Sequence, residues 1–465
     1  MVAAISDKLQ SLSVRIALAC AMALLFRVVL DILYASFMAR FYAIGTTLSF
    51  PLIANSVPRL LESYAIALAL AICLAASLYN RWRPSGIVLV LYFVVVILPL
   101  SSLYGLADAP ASFVYAATIS FAVLITATEL LPKVNVPRPG RYLFYLGFLT
   151  VVGISAYVYG WVSLTGGLER LSFDLLSVYE VRTDYVQTRG PLIGYFVPWQ
   201  ANVFNVIILC YGLEKRNYWL LGLVSLAQLF LFGMTGHKSF LLAPLLAGGV
   251  FFVWQKKNAI SYILLGASLV AFASYAYFLI TDNMFMPSFF IHRLFFVPAG
   301  LHLVYYDFFS QPEHPFYMLS DSFLSNFIHN PYGISMPSLI TSSYWGVDFD
   351  PNVGYLGDAY GNLWLFGMLF FSAILGVVLR IVDSIGSPLP SHFVAAAISM
   401  PAISLTQSAL FTSMLTHGLI PAVLMLWIVR ALVGTRDGQN ARYVQFCHDY
   451  EPIGAVAGGP HEKQS

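Results

Sequence analysis

The chain has 465 residues, of which 59% are hydrophobic and 10% charged, with a formal net charge of +2 and a mean hydropathy of +0.77. Soluble domains carry about 25% charged residues and about 45–50% apolar ones, so a water-soluble fold of this length is excluded. The near-neutral balance excludes a basic nucleic-acid-binding surface. The class left is an all-α polytopic membrane protein.

A helix needs about 20 apolar residues to span the hydrocarbon core. The first apolar run, about 14–38, exceeds the roughly 7–15 residues of a secretory signal core and reads as the first span. Twelve spans are predicted, near 14–36, 60–79, 86–106, 110–131, 142–165, 191–213, 218–235, 239–255, 259–280, 361–382, 393–412 and 415–433. The seventh and eighth form a tight hairpin around Gly236-His237-Lys238-Ser239. Together they make one membrane domain over 1–433, followed by a polar, Gly- and Pro-containing tail over 434–465 that reads as a disordered cytoplasmic end. There is no repeat at a fixed period. Cys20, Cys73 and Cys210 sit in apolar runs and Cys447 in the tail, with no disulfide framework or metal spacing.

Basic residues set the orientation. With the N-terminus inside, sixteen Lys and Arg fall in inner loops and the tail and seven in outer segments, which predicts both termini in the cytoplasm. Two outward connections are long, about 166–190 and 281–360, and long loops are functional or disordered. The second is rich in Phe, Tyr, Trp and Pro, unlike disordered chains. Its stretch SFFIHRLFFVPAGLHLVYYDFF is apolar enough to lie on the membrane or re-enter it, and a folded cap over an outward cavity is expected.

The first loop carries Arg170, Arg182 and Arg189, against the orientation rule. A guanidinium fork suits phosphate or carboxylate; the bland alternative is pairing with Glu169, Asp174, Glu180 and Asp184. Arg189 and Arg293 stand out because they lie at loop–helix junctions. Lys238 stands at a helix start after Gly236, where backbone N–H groups favour an anion such as a diphosphate; its bland alternative is a snorkelling lysine. Within the first span, Arg27 and Asp31 are four apart, which reads as a structural intrahelical pair. Glu62 and Glu129 lie near span ends, within reach of water. Asp348-Phe349-Asp350 is a D-x-D pattern, which binds metal in many glycosyltransferases but recurs often by chance; no metal and no cofactor is assigned.

Four pieces carry a family resemblance: TRGPLIGY at 188–195, GHKS at 236–239, HRLFFVPAGLHLVYYDFFSQPEHPFYMLSDS at 292–322 and NVGYLGDAYGNLWLFGMLF at 352–370. In this order, and all on the outer face, they resemble the bacterial O-antigen polymerases, or oligosaccharide repeat unit polymerases. One departure is Leu363-Trp364-Leu365-Phe366, where a Phe-Gly pair is common in that family. The resemblance implies a multi-span glycosyltransferase of the bacterial inner membrane, active at its periplasmic face. It would transfer a growing glycan from undecaprenyl diphosphate onto a new lipid-linked repeat unit. A chain-length regulator and a flippase are the partners it implies, beside the bilayer and the lipid-linked oligosaccharides.

That chemistry needs cations or N–H groups for the diphosphate, for which Arg189, Lys238 and Arg293 are available. It needs a base for the acceptor hydroxyl, among His302, Asp307, His314 and Asp358; Asp307 and His302 are preferred because they lie in the most family-like stretch. Tyr195, Tyr305, Tyr306, Tyr332, Asn352, Asp358 and Tyr360 are candidates to hold sugar. Three rivals remain. An O-antigen ligase uses the same donor. A flippase or transporter of lipid-linked glycans is expected to show repeats and broken helices. A non-catalytic scaffold leaves the arginines unexplained.

Overall fold

A backbone in hydrocarbon must satisfy its own polar groups within the segment, so long apolar runs become helices. The computed structural model describes residues 2–43, 48–51, 56–80, 82–174, 178–188, 190–322, 324–346 and 351–432, and every regular element among them is helical. Among the described residues eleven helices are long and apolar enough to cross a bilayer, where twelve were expected. In chain order the helices are α1 (Ser11–Phe41), α2 (Val57–Tyr79), α3 (Gly86–Leu106), α4 (Ala111–Leu130) and α5 (Arg141–Gly167). Then come α6 (Val178–Gln187), α7 (Ile193–Glu214), α8 (Tyr218–Thr235), α9 (Lys238–Val253), α10 (Ala259–Thr281) and α11 (Phe285–Phe309). The chain closes with α12 (Met336–Tyr344), α13 (Tyr355–Gly386), α14 (Ser391–Ala397), α15 (Ser399–Ser404), α16 (Leu410–Leu415) and α17 (Leu419–Val429). The last crossing segment, Leu410–Leu432, contains both α16 and α17. The expected tail, 434–465, lies outside the described residues.

The core is built around α3, buried along its whole length. Helix α1 lies beside it, and the pair expected between Arg27 and Asp31 forms there. Arg27 is fully buried. Its guanidinium also donates to the Ser101 hydroxyl (3.0 Å) and carbonyl (3.1 Å) of α3 and to the Ser63 hydroxyl of α2 (2.9 Å). These bonds meet the requirement that a charge inside the bundle be paired and hydrogen-bonded. A second, smaller core joins α5, α6, α7, α8 and the start of α9.

Two ends of the bundle are distinct. At the cap end, Arg59 of α2 holds the Tyr104 carbonyl (3.0 Å) and forms an ion pair with Asp108, just after α3. At the tail end, Val134 donates to Ser384 (3.0 Å), and Arg138 donates to the Ala431 carbonyl (3.0 Å). Helix α1 starts at the tail end, because its far end, Phe37 and Phe41, packs on Phe278 near the cap-end terminus of α10.

Four segments differ from the sequence expectation. Helix α11, expected within a loop, counts as long and apolar enough to cross. Yet both its ends touch the cap end: Ser288 meets the Tyr42 hydroxyl after α1 (2.8 Å), and Tyr306 meets Ser112 in the first turn of α4 (2.6 Å). It therefore packs against the bundle with both ends at the cap end. Its stretch Ser288–Phe296 is π-helical, with the Val297 N–H reaching His292; Pro298 follows and supplies no N–H, so the regular ladder is broken there in any case.

The span expected at 239–255 is the 16-residue helix α9, which carries Pro244 inside it and is shorter than a full span. The span expected at 393–412 is broken into α14, α15 and α16. Ile398 leaves helical geometry (φ −98°, ψ 1°), and the Leu405 carbonyl in the gap accepts from the Tyr355 N–H (3.0 Å). Helix α13 is itself folded back at Leu363 (φ −139°, ψ 29°) and Trp364 (φ 56°, ψ −155°). Its two arms lie against each other: the Tyr355 and Ser372 hydroxyls are 3.1 Å apart, and a Cβ on Gly367 would lie 2.2 Å from the Ala359 carbonyl.

Candidate functional site

Gly236 ends α8 in the left-handed conformation (φ 67°), which favours glycine. A Cβ there would lie 2.5 Å from the Val178 carbonyl and 2.9 Å from the Arg182 nitrogen. The glycine therefore lets α6 rest on the hairpin turn. That contact carries Tyr179, the second residue of α6, over Lys238, the first of α9. The Lys238 ammonium stands 5.3 Å from the Tyr179 ring centre and 5.8 Å from that of Phe285. From the other long loop, Arg293 donates 2.6 Å to the Tyr179 hydroxyl, with its guanidinium 5.9 Å from the same ring. Two cations thus meet on one exposed tyrosine.

Arg170 secures this arrangement from below. It donates to the carbonyls of Met234 (2.9 Å) and Thr165 (2.9 Å) rather than to the neighbouring carboxylates. Burial lowers its pKa from the usual guanidinium range, opposed by nearby Asp184. It ties the loop to the hairpin and is not available to a ligand in that geometry. Among the described residues no ion pair joins Arg170 or Arg182 to Glu169, Glu180 or Asp184.

A second group lies at the far end of α11. A cavity of about 470 Å³ opens between the segment following α11 and the folded tip of α13. Tyr306, Gln311, His314, Phe316, Tyr360 and Trp364 line it. The Tyr306 and Tyr360 rings pack at 5.1 Å, and Phe316 stands edge-on to Tyr360 at 5.9 Å. His314 stacks on Phe308 at 3.8 Å and its Nδ1 is 2.7 Å from the Phe308 carbonyl. Beside the cavity, Asp307 is exposed and accepts from the Tyr344 hydroxyl (2.5 Å). Burial, and then that bond to Asp307, raise the Tyr344 pKa above its ordinary value.

The expected site residues thus divide. Lys238 and Arg293 come together. Tyr306 and Tyr360 share the cavity, with Asp307 beside it. Tyr332, by contrast, stacks on Tyr317 (5.2 Å) and donates to the Pro315 carbonyl (2.8 Å). His302 is fully buried, with Nδ1 2.5 Å from the Pro298 carbonyl and Nε2 3.5 Å from the Tyr92 hydroxyl. Both ring nitrogens are engaged, so His302 holds the fold in this arrangement. Tyr305 is 1% exposed and donates to the Pro351 carbonyl (3.1 Å), which leaves no ring face for sugar. Tyr195 is on α7, packed on Trp199 at 6.4 Å, in neither group. Asn352 is exposed, just before α13, and Asp358 accepts from the Asn362 amide (3.3 Å) within the first arm. Arg189 and Asp348-Phe349-Asp350 lie outside the described residues.

Sequence reasoning missed Tyr179 and Trp364. Nothing in VYEVRTD marks Tyr179, which acquires its place only when α6 docks on Gly236. Trp364 did carry a signal, as the departure from the Phe-Gly pattern.

A polytopic membrane protein, helical throughout its described residues, is the class these features define. No protein-family model, curated protein or solved structure matches the chain.

Proposed function

We propose that the protein is a glycosyltransferase that polymerises undecaprenyl-diphosphate-linked oligosaccharide repeat units into a surface polysaccharide such as O-antigen. The observation that carries this reading is the convergence of Lys238 and Arg293, from separate loops, on Tyr179. Two cations beside an exposed phenol suit the diphosphate of one of the two lipid-linked substrates. In the reaction, the acceptor hydroxyl oxygen forms a bond to the anomeric carbon of the donor glycan. The bond from that carbon to undecaprenyl diphosphate breaks, with its electron pair leaving on the diphosphate. The hydroxyl proton passes to a base, for which Asp307 is the exposed carboxylate beside the aromatic cavity. The basic-residue bias assigns the tail end to the cytoplasm and the cap end to the periplasm of the bacterial inner membrane. A chain-length regulator and a flippase would be its partners there.

A ligase with the same donor is the nearest rival. A flippase gains one specific observation, the interrupted α14–α16 segment facing the folded-back α13, since broken helices mark transporter sites. Deleting the gene in its host separates the three. A polymerase loss leaves lipid A core capped by one repeat unit; a ligase loss leaves uncapped core with polymer on the lipid carrier; a flippase loss leaves no periplasmic repeat units. Absence of single-unit capping would sink the polymerase reading.

A further inference from the structure

Arg293 and Asp307 are fourteen residues apart on one helix, α11. At about 1.5 Å per residue, and less in the π-helical stretch, they stand about 20 Å apart along the axis. The carbon attacked in the transfer is bonded directly to a diphosphate oxygen. A base at Asp307 therefore cannot serve a carbon whose own diphosphate sits on Arg293. The acceptor has a different shape: its diphosphate and its reacting hydroxyl are at opposite ends of an oligosaccharide several rings long. The separation suits that molecule.

The chemistry at the Asp307 end fits the sugar end. The cavity is walled by Tyr306, Tyr360 and Trp364, whose ring faces suit the apolar faces of a pyranose. The Gln311 amide and the His314 imidazole supply hydrogen-bonding groups for hydroxyls. Among the described residues no aspartate, glutamate, lysine or arginine lines it, a lining that suits an uncharged sugar. Trp364 is held with φ 56° and ψ −155°, a region nearly confined to glycine, at the tip of the fold-back. Its side chain is 54% exposed. Strain of this kind persists where the surrounding structure imposes it, and here it presents an indole at the cavity mouth.

Resting on the polymerase reading, we infer that this cavity binds the uncharged terminal saccharide of the acceptor, whose diphosphate is held at Lys238 and Arg293, and that Trp364 determines specificity there.

The test uses the full-length protein in nanodiscs free of sugar-headed detergent. The substrate is lipid-linked repeat units extracted from the host lacking the gene. The binding probe is the free repeat-unit oligosaccharide, released from the lipid by mild acid. Trp364→Gly relieves the backbone strain while removing the ring, so it is expected to fold. It should bind the free oligosaccharide at least tenfold more weakly and raise KM for the acceptor similarly, with binding of inorganic pyrophosphate unchanged. Arg293→Ala should do the reverse in binding, keeping affinity for the oligosaccharide and losing affinity for pyrophosphate. Gln311→Ala, expected to weaken oligosaccharide binding severalfold, serves should Trp364→Gly not fold. Unchanged oligosaccharide binding and KM in a folded cavity variant, with the wild type still polymerising, overturns the cavity assignment alone. A wild type that binds the oligosaccharide but elongates nothing overturns the functional reading instead.

Discussion

The Arg293 guanidinium donates a 2.6 Å hydrogen bond to the Tyr179 hydroxyl, across 114 residues of chain. This bond joins the two long loops that the sequence presents separately, and it brings Arg293 within the surroundings of Lys238. If the pair holds diphosphate, Arg293→Ala should abolish polymer formation while the protein still inserts and accumulates. Tyr179→Phe removes only the positioning bond, worth about 1 kcal/mol, and should lower turnover roughly fivefold. The check is the length distribution of lipopolysaccharide in complemented deletion cells. Wild-type lengths with Arg293→Ala would remove the arginine from the site.

The spans were legible because twenty apolar residues in a row have few other fates. The Gly236 turn was legible too, since a glycine between two spans announces a hairpin. The break at 398–409 was not. Ser399, Thr406, Gln407 and Ser408 lie in a segment whose mean hydropathy passes for a span, and only tertiary contact, Tyr355 N–H on the Leu405 carbonyl, gives the broken backbone its partner. The same limit applies to His302 and Tyr305. Polar atoms in an aromatic-rich stretch read alike whether they face a ligand or a neighbouring carbonyl. Their orientation is set by where α11 packs, which is not written in its periodicity.

Gly354 tests that packing. A Cβ at this position would lie 2.6 Å from the Thr406 carbonyl and 2.9 Å from the His302 ring. The carbonyl belongs to the broken segment and cannot swing aside as a side chain would. Gly354→Ala should therefore destabilise the junction by about 1–3 kcal/mol, the cost of overpacking a filled core, and lower the yield of monodisperse protein. Fluorescence-detected size exclusion after graded heating reads this directly. A variant as heat-stable as wild type would show that the 351–354 segment is free to move.

The cap should respond to pH through Asp321. Its carboxyl pKa is raised by burial, opposed by the Met336 N–H, which donates to it at 2.7 Å at the start of α12. A carboxyl pKa raised in the folded state contributes stability that is full below the unfolded value, about 3.9, and is lost as pH rises through the folded value. Docking of α12 should thus weaken as pH rises above the ordinary carboxylate range. Asp321→Asn keeps an acceptor for Met336 and should remove the slope. Hydrogen exchange of Met336–Tyr344, corrected for the intrinsic pH dependence of exchange, measures it; equal slopes in wild type and variant would exonerate the carboxyl.

Arg27 distinguishes a structural charge from a functional one. Its side chain is fully buried, while Asp31 is 15% exposed and also accepts from the Tyr64 hydroxyl (2.7 Å) and the Ser102 hydroxyl (2.5 Å). Removing one member of a buried pair leaves the other uncompensated, at about 3–5 kcal/mol, whereas replacing both by apolar groups costs far less. Arg27→Leu should therefore depress thermal stability strongly, and Arg27→Leu with Asp31→Leu should recover more than half of the loss. Polymer formation by the double variant should return with its stability, because neither residue lies in the Tyr179 group or the Trp364 cavity. A stable but inactive double variant would mean that this charge pair, deep beside α3, takes part in the chemistry.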